Sequence, residues 1–442
     1  MTAACAAVAI SATAAAASVP AGRAVGYHPR AGPAVEVSRG CQGSNAETEQ
    51  AVDYPYVYVT WIGCGGIGFA RSIDGGRGFG HPLRVPGSAA RGCSCHPLPR
   101  AGWDPAIAVG PDGTVYVSYM INRHGYAHPR IAVSYDHGKT FARLFSAMPP
   151  DRYKNNWGDR DFIAVAPDGT VYLTWVYGRH LPTKTGKPIP SNAVIQRSED
   201  GGRRWSRIIP VSPGYPDHAD VAAAPLLAGP RGRIDVLMWA GSGIRHSALP
   251  LNNDYFTSSA DGGATWSAPV AVGARAGTMS LAEWWIDGGI GIDAAGNLYA
   301  TWDTQGTNPN GSASDLGWLS YSTDHGVRWS APMRVPPDRR NVPHIMEVTG
   351  AGRGTAYLSW LTDSNPAGYA LYLRAFSIAR GWLSGPAQIS AGYGSSAVWP
   401  GDTTGLSALS PSDVVASWGS DYPALSGNKA EIYAADVAAT LG

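Results

Sequence analysis

Charged residues are scarce in this sequence, and the shortage excludes two classes of protein. Only 15% of the 442 residues are charged, and 34 Lys and Arg are offset by 33 Asp and Glu. No basic run stands out, which argues against a nucleic-acid partner, because such proteins concentrate positive charge to neutralise phosphates. With 44% hydrophobic residues and a net charge of +1, the chain also lacks the composition of a disordered protein.

Long apolar runs are also missing beyond the N-terminus. Residues 2–19 form an uncharged, Ala-rich stretch, which predicts an export signal within residues 1–26, although no Lys or Arg precedes Arg23. The alternative is a disordered Ala-rich tail. No other stretch reaches the roughly 18 apolar residues that a membrane span needs. We therefore expect a secreted monomer without a transmembrane segment.

Cysteine is rare, and its spacing bears on whether the chain binds a metal. Apart from Cys5 in the predicted signal, the chain has Cys41, Cys64, Cys93 and Cys95. Zinc sites usually contain cysteine pairs with two to four residues between them, whereas here the one close pair has a single residue between its members. We therefore predict two disulfides and neither a metal nor another cofactor. A 93–95 bridge would be strained, so Cys41 and Cys64 are each expected to pair with one of these two.

Glycine, proline and aromatic residues are abundant, and they occur in a repeating pattern. The 56 Gly and 34 Pro predict many turns, and the 16 Trp and 21 Tyr predict packed strands, so the composition indicates an all-β protein. Residues 111–116 and 167–172 both read Pro-Asp-Gly-Thr-Val-Tyr and lead into an apolar strand that ends in an aromatic residue. Seven such aromatic ends recur roughly 56 to 64 residues apart, a spacing typical of propeller blades: Trp61, Tyr119, Trp175, Trp239, Trp302, Trp360 and Trp418.

A second motif, Ser-x-Asp-x-Gly-x-x-aromatic, follows these strands. It begins at five serines, and a sixth copy at Ser377 has lost its Asp; the five are Ser72, Ser134, Ser198, Ser259 and Ser322. The Ser and Asp side chains can accept backbone N–H bonds within a turn, and the Gly supplies a positive φ. The motif resembles the Asp-box, or BNR repeat, and the chain is similar to the Asp-box β-propellers, of which the sialidases are members. The resemblance covers essentially the whole of residues 34–442.

The repeats predict the arrangement of the blades. Seven units begin near Glu47, Asp104, Asp161, Asp220, Asp287, His344 and Asp402. We predict a β-propeller of seven four-stranded blades, with six, the sialidase number, as the alternative. The last unit lacks its fourth strand, and residues 34–38 resemble the fourth strands elsewhere. They are expected to pair with residues 431–436 and close the ring, which removes an exposed sheet edge.

The two ends of the strands have different expected roles. Because strands alternate in direction, the Pro-Asp-Gly turns and the Asp-boxes share one face, which we call the turn face. The opposite face, the loop face, carries the long connections, and long loops on a rigid scaffold are where binding sites usually lie. Acids recur where each unit enters its innermost strand, with Trp beside several of them. Carboxylates and flat aromatic rings are the groups that carbohydrate-active sites use.

The resulting candidates lie on the loop face. The candidate catalytic acids are Asp159, Asp161, Asp287 and Glu347. The candidate substrate-binding residues are Trp157, Arg160, His218, Trp285, His344, Tyr393 and Trp399. Regular alternation along a strand would place Asp159 and Asp161 on the same side, both towards the central channel. The alternative is structural: the acids cap backbone amides, the indoles pack between blades, and Arg160 bridges blades two and three.

Two functions remain open from the sequence. The resemblance implies a sialidase-like glycoside hydrolase acting on glycans. The sialidase arginine triad and Arg-Ile-Pro motif are not found here, and Arg207 lies in the wrong unit to supply the motif. The second function is a non-catalytic propeller that binds a glycan or a protein.

Overall fold

The computed structural model of this chain is an all-β propeller. It describes residues 27–89, 101–123, 126–147, 157–178, 191–211, 221–222, 225–240, 253–273, 288–307, 313–335, 343–364, 368–395, 397–423 and 429–441. These residues form seven antiparallel sheets, which confirms the predicted fold and seven blades rather than six. Within those ranges the one helical element is a 3-10 turn, Pro230–Gly232, and no helix has the length and apolarity needed to cross a membrane.

The first blades follow the chain from the centre of the ring outwards. Two N-terminal strands, β1 (Tyr27–Ala31) and β2 (Val35–Glu36), belong to the last blade. Blade one contains β3 (Ala46–Asp53), β4 (Tyr56–Gly63), β5 (Gly66–Ser72) and β6 (Leu83–Arg84). Blade two contains β7 (Trp103–Val109), β8 (Val115–Arg123), β9 (Tyr126–Ser134) and β10 (Arg143–Ser146). Blade three contains β11 (Trp157–Val165), β12 (Val171–Gly178), β13 (Ser191–Ser198) and β14 (Ile209–Pro210).

The remaining blades repeat this order, with small interruptions. Blade four has a divided inner strand and contains β15 (Val221–Ala222), β16 (Leu226–Ala228), β17 (Ile234–Ala240), β18 (Asn253–Ser259) and β19 (Val270–Ala271). Blade five contains β20 (Ile290–Ile292), β21 (Leu298–Thr307), β22 (Ala313–Ser322) and β23 (Met333–Arg334). Blade six contains β24 (Pro343–Ala351), β25 (Thr355–Ser364), β26 (Gly368–Ser377), β27 (Gly381–Trp382) and β28 (Ala387–Gln388). Blade seven contains β29 (Gly405–Ala408), β30 (Asp413–Ser420) and β31 (Glu431–Leu441).

The N-terminal strands complete blade seven, as predicted. Val35 in β2 lies opposite Ala434 in β31, within the predicted segments. The structure adds β1, which pairs along the end of β31 from Tyr27 opposite Leu441 to Ala31 opposite Val437. The inner strand of blade seven in turn contacts the inner strands of blades six and one, so the ring is continuous. The two ends of the described chain are therefore held together in a single sheet.

The periodic aromatic residues fill the cores between blades. They lie on the second strand of each blade, and four indoles there are at most 1% exposed: Trp61, Trp175, Trp302 and Trp360. Tyr119 and Trp418 occupy the same place in blades two and seven and are also buried. The side chain of Trp239 lies outside the described part of the chain. Large rings at this position explain the spacing in the sequence, because every blade must fill the gap to its neighbour.

The five Ser-x-Asp motifs form identical turns. In the first copy, the Ser72 hydroxyl donates to Asp74 Oδ1 at 2.6 Å and accepts from the Gly76 N–H at 2.9 Å. Asp74 Oδ1 also accepts from the Gly78 N–H at 3.0 Å. Gly76 has φ 91°, a conformation that other residues adopt only with strain. The same bonds recur at the other four serines: Ser134, Ser198, Ser259 and Ser322.

Both kinds of turn lie on one face, as the antiparallel order requires. The Gly75 N–H donates to Pro55 O at 2.9 Å, which joins a Ser-x-Asp turn to the first turn of blade one. In blade four the Gly262 N–H donates to Gly232 O at 2.8 Å in the same way. The turn face is therefore defined by these paired turns, and the inner strands begin on the opposite loop face.

The predicted disulfide pairing is wrong. Cys41 and Cys64 form a bridge with each other, with their Cα atoms 4.7 Å apart. Cys41 precedes β3, and Cys64 follows β4, which pairs with β3, so strand pairing alone brings the two close. Cys93 and Cys95 lie outside the described residues. The sequence argument failed because it considered only the strain of a 93–95 bridge and not this local proximity.

Candidate functional site

Four inner strands begin with the same backbone irregularity. Residues at equivalent places in blades one, two, three and six have positive φ: Glu47 (51°), Asp104 (46°), Arg160 (48°) and Ile345 (55°). Each lies where the pairing with the second strand shifts register, which is the signature of a β-bulge. A left-handed conformation is strained in non-glycine residues and persists only where the surroundings impose it. Such repeated strain marks the loop-face end of the channel as a candidate site.

Arg160 connects three blades at this end of the channel. Its side chain is only 4% exposed. Its backbone N–H donates to Asp104 Oδ2 at 2.8 Å in blade two. Its guanidinium reaches Asp402 in blade seven, with Nη2 3.2 Å from Oδ2 and 3.4 Å from the backbone carbonyl oxygen. Arg160 therefore does more than bridge blades two and three, because it also neutralises a carboxylate from the last blade.

Three carboxyls with raised pKa values lie at this end of the inner strands, of which Glu47 and Asp161 are buried and Asp159 is half-buried. Burial raises the pKa of Glu47 well above its usual value, and contact with Asp402 adds to the effect. Burial, followed by the neighbouring Asp104, likewise raises the pKa of Asp159, whose Oδ1 accepts from the Trp103 indole at 2.9 Å. The pKa of Asp161 is raised chiefly by burial.

Several carboxyl oxygens of the cluster are buried without a hydrogen-bond donor. Among the described residues, Glu47 Oε2 and Asp402 Oδ1 are buried without a donor, as are both oxygens of Asp161. Two carboxyls in contact cannot both ionise cheaply, so one of them keeps its proton at a higher pH than an isolated acid. A carboxylic acid held protonated in this way can serve as a general acid.

The channel itself is a cavity of about 350 Å³ that all seven inner strands line. Glu49, Asp402 and Glu347 contribute carboxyls to it from blades one, seven and six. Blade three contributes Phe162 and Ile163 instead of its two aspartates. The cavity therefore places acids from several blades around one space of the size that small ligands occupy.

Asp159 and Asp161 do not follow the regular alternation expected from the sequence. The pairing of β11 with β12 shifts between Asp159 and Phe162, because Arg160 forms the bulge. Both aspartates interact with Asp104 in blade two. The bulge therefore removes the regular alternation on which their expected placement in the channel was based. Their assignment as catalytic residues stays a prediction.

Trp399 differs from the periodic tryptophans of the blades in its exposure to solvent. Its side chain is 56% exposed, whereas the periodic indoles are buried. The next residue, Pro400, accepts a hydrogen bond from the Glu47 N–H at 3.3 Å, so the backbone that carries the exposed indole adjoins the carboxyl cluster. Tyr393 is half-buried, and its hydroxyl hydrogen bonds with that of Tyr372 at 2.7 Å. An exposed indole next to acids is an arrangement suited to stacking on a sugar ring.

Several predicted residues lie beyond what the structure describes. Asp287, His218 and Trp285 fall outside the described residues. Trp157 and His344 lie in β11 and β24, and their side chains are not among the described ones. Within the described ranges, no group of three or more His, Cys, Asp or Glu is arranged to hold a metal ion.

The prediction missed three members of the cluster. Glu47, Asp104 and Asp402 were noted as the starts of repeat units but not as site residues. The available signal was their recurrence at the same place in the repeat, which is where the bulges lie.

Comparisons with known proteins agree with the fold. No protein-family model matches the sequence, and no curated protein is similar to it. Among solved structures, the chain is similar to a polysaccharide lyase, an ulvan lyase, with a TM-score of 0.55 and 13% identity, covering 89% of this chain and 95% of that one. A mutant of the NanB sialidase from Streptococcus pneumoniae gives a TM-score of 0.52 at 10% identity, covering 81% and 72%. A protein from Dyadobacter fermentans of unknown function gives 0.51 at 12% identity, covering 93% and 99%. At these identities the likeness shows the propeller fold alone.

Proposed function

We propose that this protein is a glycan-acting propeller, a glycoside hydrolase whose site lies at the loop-face end of the central channel. The observation that carries the proposal is the exposed Trp399 beside buried, proton-holding carboxyls. The ulvan lyase and the sialidase that share the fold act on glycans, as their names state, which supports this substrate class.

The geometry suggests a division of roles. Glu47, whose pKa is raised by burial and by contact with Asp402, is the candidate general acid, and Asp402 also lines the channel. Glu347 lines the same channel from blade six and is our candidate for the second carboxylate that glycoside hydrolysis requires. Arg160 is a positioning residue in this scheme, because its buried guanidinium is committed to Asp402. Trp399 is the stacking platform.

The finer identity is also part of the proposal. We infer that the Ser-x-Asp turns are Asp-boxes and that the chain belongs among the sialidase-like propellers. We also infer export, which the Cys41–Cys64 bridge supports, because disulfides persist mainly in oxidising compartments.

A screen for activity tests the proposal. The chain is assayed on 4-methylumbelliferyl glycosides, a sialoside included, and on polysaccharides for both hydrolysis and the unsaturated products of a lyase. Trp399→Ala is expected to weaken substrate binding about two- to tenfold, the range for loss of one stacked ring. The matched control is Tyr54→Ala, which removes an aromatic ring that is 67% exposed at the first turn of blade one, on the turn face. Equal effects of the two variants would contradict the site.

A non-catalytic glycan-binding propeller is the second candidate. It is favoured by the depth of the acids, because Glu47 and Asp161 are only 4% and 3% exposed. Glu347→Gln separates the two functions. A catalyst loses turnover on this change but keeps binding. A binding module shows no turnover even in the parent chain, and its glycan binding is weakened in Trp399→Ala.

A further inference from the structure

A second cavity lies on the turn face, away from the channel mouth. It has a volume of about 390 Å³ and lies between blades two and three. The first turns of both blades contribute Pro111 and Pro167, and the Ser-x-Asp turn of blade three contributes Asp200. Its volume is within the range of small-molecule sites. Neither the loop-face site nor the turn architecture assigns it a role.

The hydroxyl of a largely buried tyrosine opens onto this pocket and has no hydrogen-bond partner among the described residues. Tyr116 is 5% exposed, lines the pocket, and has its hydroxyl next to Gly201, another lining residue. Tyrosines stand at the same register in blades one, three and five, one residue after the strand residue that pairs with the motif serine. Tyr172 of blade three is not a lining residue of this pocket. In blades one and five the hydroxyl has a protein partner. There the hydroxyl of Tyr58 is 3.4 Å from His137 Nδ1, and that of Tyr299 donates to Asp293 at 2.8 Å.

In blade two, the Tyr116 hydroxyl is available as a hydrogen-bond donor to a ligand. Among the described residues, no hydrogen bond to the Tyr116 hydroxyl is present. Because the hydroxyl opens onto the pocket, a ligand atom there can replace water as its hydrogen-bond partner. Burial, and then the nearby Asp112, raises the pKa of Tyr116 to about 12, so the O–H is retained at neutral pH and can donate.

The charges around the pocket favour a cation. Four carboxylates line it against one guanidinium: Asp112, Asp168, Glu199 and Asp200 against Arg203. Glu199 is partly neutralised by an outward ion pair with Arg197 at 3.4 Å. The remaining three acids exceed the one lining cation, so an ammonium group would be attracted.

Two of these acids are held ionised by the turns they form. Hydrogen bonds from Thr170 lower the pKa of Asp168. For Asp200 burial is the largest single effect and would raise the pKa, but several hydrogen bonds, first among them the Arg204 N–H at 2.8 Å, together outweigh it and lower the pKa. Both therefore stay anionic well below neutral pH and keep lone pairs for further donors.

The wall of the pocket adds an aromatic surface. Tyr135, the middle residue of the Ser-x-Asp motif in blade two, is 47% exposed and lines the pocket. We propose that this pocket binds an unacetylated amino sugar, with its ammonium and hydroxyl groups on the turn carboxylates and the Tyr116 hydroxyl and its ring against Tyr135. The carboxylates of the pocket offer more hydrogen-bond acceptors than one ammonium group can use. This favours a ligand that also carries hydroxyl groups over a plain alkyl amine. This inference does not depend on the loop-face function.

Calorimetric titration of the full chain with glucosamine tests it, at a mildly acidic pH where the amine is protonated. N-acetylglucosamine lacks the charge, and putrescine has the charge without the hydroxylated ring. Both are expected to bind at least about tenfold more weakly than glucosamine, as the loss of charge-assisted or several neutral hydrogen bonds implies. Binding of either as tight as glucosamine would overturn the assignment.

Variants locate the binding. Tyr116→Phe is expected to weaken glucosamine binding about fivefold, the value of one hydrogen bond. Asp200→Asn is compared with Asp261→Asn, because both acids accept from a motif serine, at 2.9 and 2.8 Å, but only Asp200 lines the pocket. Asp200→Asn should weaken binding and Asp261→Asn should not. The proposal fails if glucosamine does not bind in the millimolar range, or if Tyr116→Phe and Asp200→Asn bind it like the parent. Trp399→Ala changes only the loop-face site, so it must bind glucosamine as the parent does.

Discussion

Replacing Arg160 by alanine probes the centre of the loop-face cluster most directly. The change removes the guanidinium that lies 3.2 Å from Asp402 and leaves that carboxylate, 13% exposed, without its cation. It also removes a charge that lowers the pKa of both Glu47 and Asp159. Breaking a buried ion pair on one side costs about 3–5 kcal/mol of unfolding free energy, because an uncompensated charge stays behind.

This magnitude converts into a measurable change in melting temperature. Unfolding entropy of about 2.1 cal/mol/K per residue gives roughly 0.8 kcal/mol/K for a cooperative unit of about 400 residues. Arg160→Ala should therefore lower Tm by about 4–6 °C. Arg77→Ala is the matched control, because Arg77 also pairs with blade seven, at 3.1 Å to Asp436, but is 72% exposed. An exposed pair contributes about 0–1 kcal/mol, so this control should move Tm by about 1 °C or less.

The pH dependence gives the sharper test. The folded pKa values of Glu47 and Asp159 lie above those of the unfolded chain. Their stabilising contribution is therefore complete below the unfolded pKa and is lost as the pH rises through the folded one. Removing Arg160 raises both folded values further, so the loss of stability should be larger at about pH 8 than at about pH 5.

Scanning calorimetry of the parent, Arg160→Ala, Arg160→Lys and Arg77→Ala at both pH values completes the experiment. Arg160→Lys keeps the charge and should recover part of the loss. Two results would contradict this account: the same Tm for Arg160→Ala and the parent at both pH values, or a larger loss of stability at the acidic pH. Either would mean that the charge interactions of Arg160 do not stabilise the cluster. Loss of glycan binding without a change in Tm would instead support a direct substrate contact by Arg160.

Three further predictions concern the N-terminal strands, the disulfide and the buried carboxylate of Asp293. Deleting residues 1–38 removes β1 and β2 and the Ser38 hydroxyl that donates to Glu431 at 2.7 Å, so Tm should fall well below that of a 1–26 deletion; equal melting would refute closure by these strands. Peptide mapping without reduction should recover a Cys41–Cys64 link across 23 residues, and Cys41→Ser with Cys64→Ser should cost about 3 kcal/mol by chemical denaturation. Asp293→Ala should cost about 3 kcal/mol, because Asp293 accepts from Tyr299, Asn297 and the Gly354 N–H of blade six. Burial raises the pKa of Asp293, but the hydrogen bonds outweigh it and the pKa is lowered. The stability that Asp293 contributes is therefore present above the unfolded pKa and is lost as the pH falls through the folded one. A loss of stability in Asp293→Ala that stays the same in acid would contradict this.

Local patterns in the sequence determined the architecture. The aromatic ends of the second strands predicted the blades because each blade must fill the same gap to its neighbour, and the buried Trp61 and Trp360 show that filling. The Ser-x-Asp turns were predictable because all their hydrogen bonds lie within about five residues, as at Ser72. The pairing of residues 34–38 with the last strand followed from the one strand missing in the repeat count. Each of these inferences depends on periodicity or on near neighbours.

The candidate site depended on contacts that the sequence does not display. Arg160 and Asp402 are 242 residues apart and meet only because the ring closes. The bulge at Arg160 has positive φ in a residue type that does not favour it, so propensity predicted regular alternation and did not reveal the register shift after Asp159. Cys41 met Cys64 through the pairing of β3 with β4, a proximity that cysteine spacing alone does not reveal. The sequence by itself determined which residues recur at the channel mouth, and the tertiary structure decided which of them touch, because burial and charge pairing act across blades.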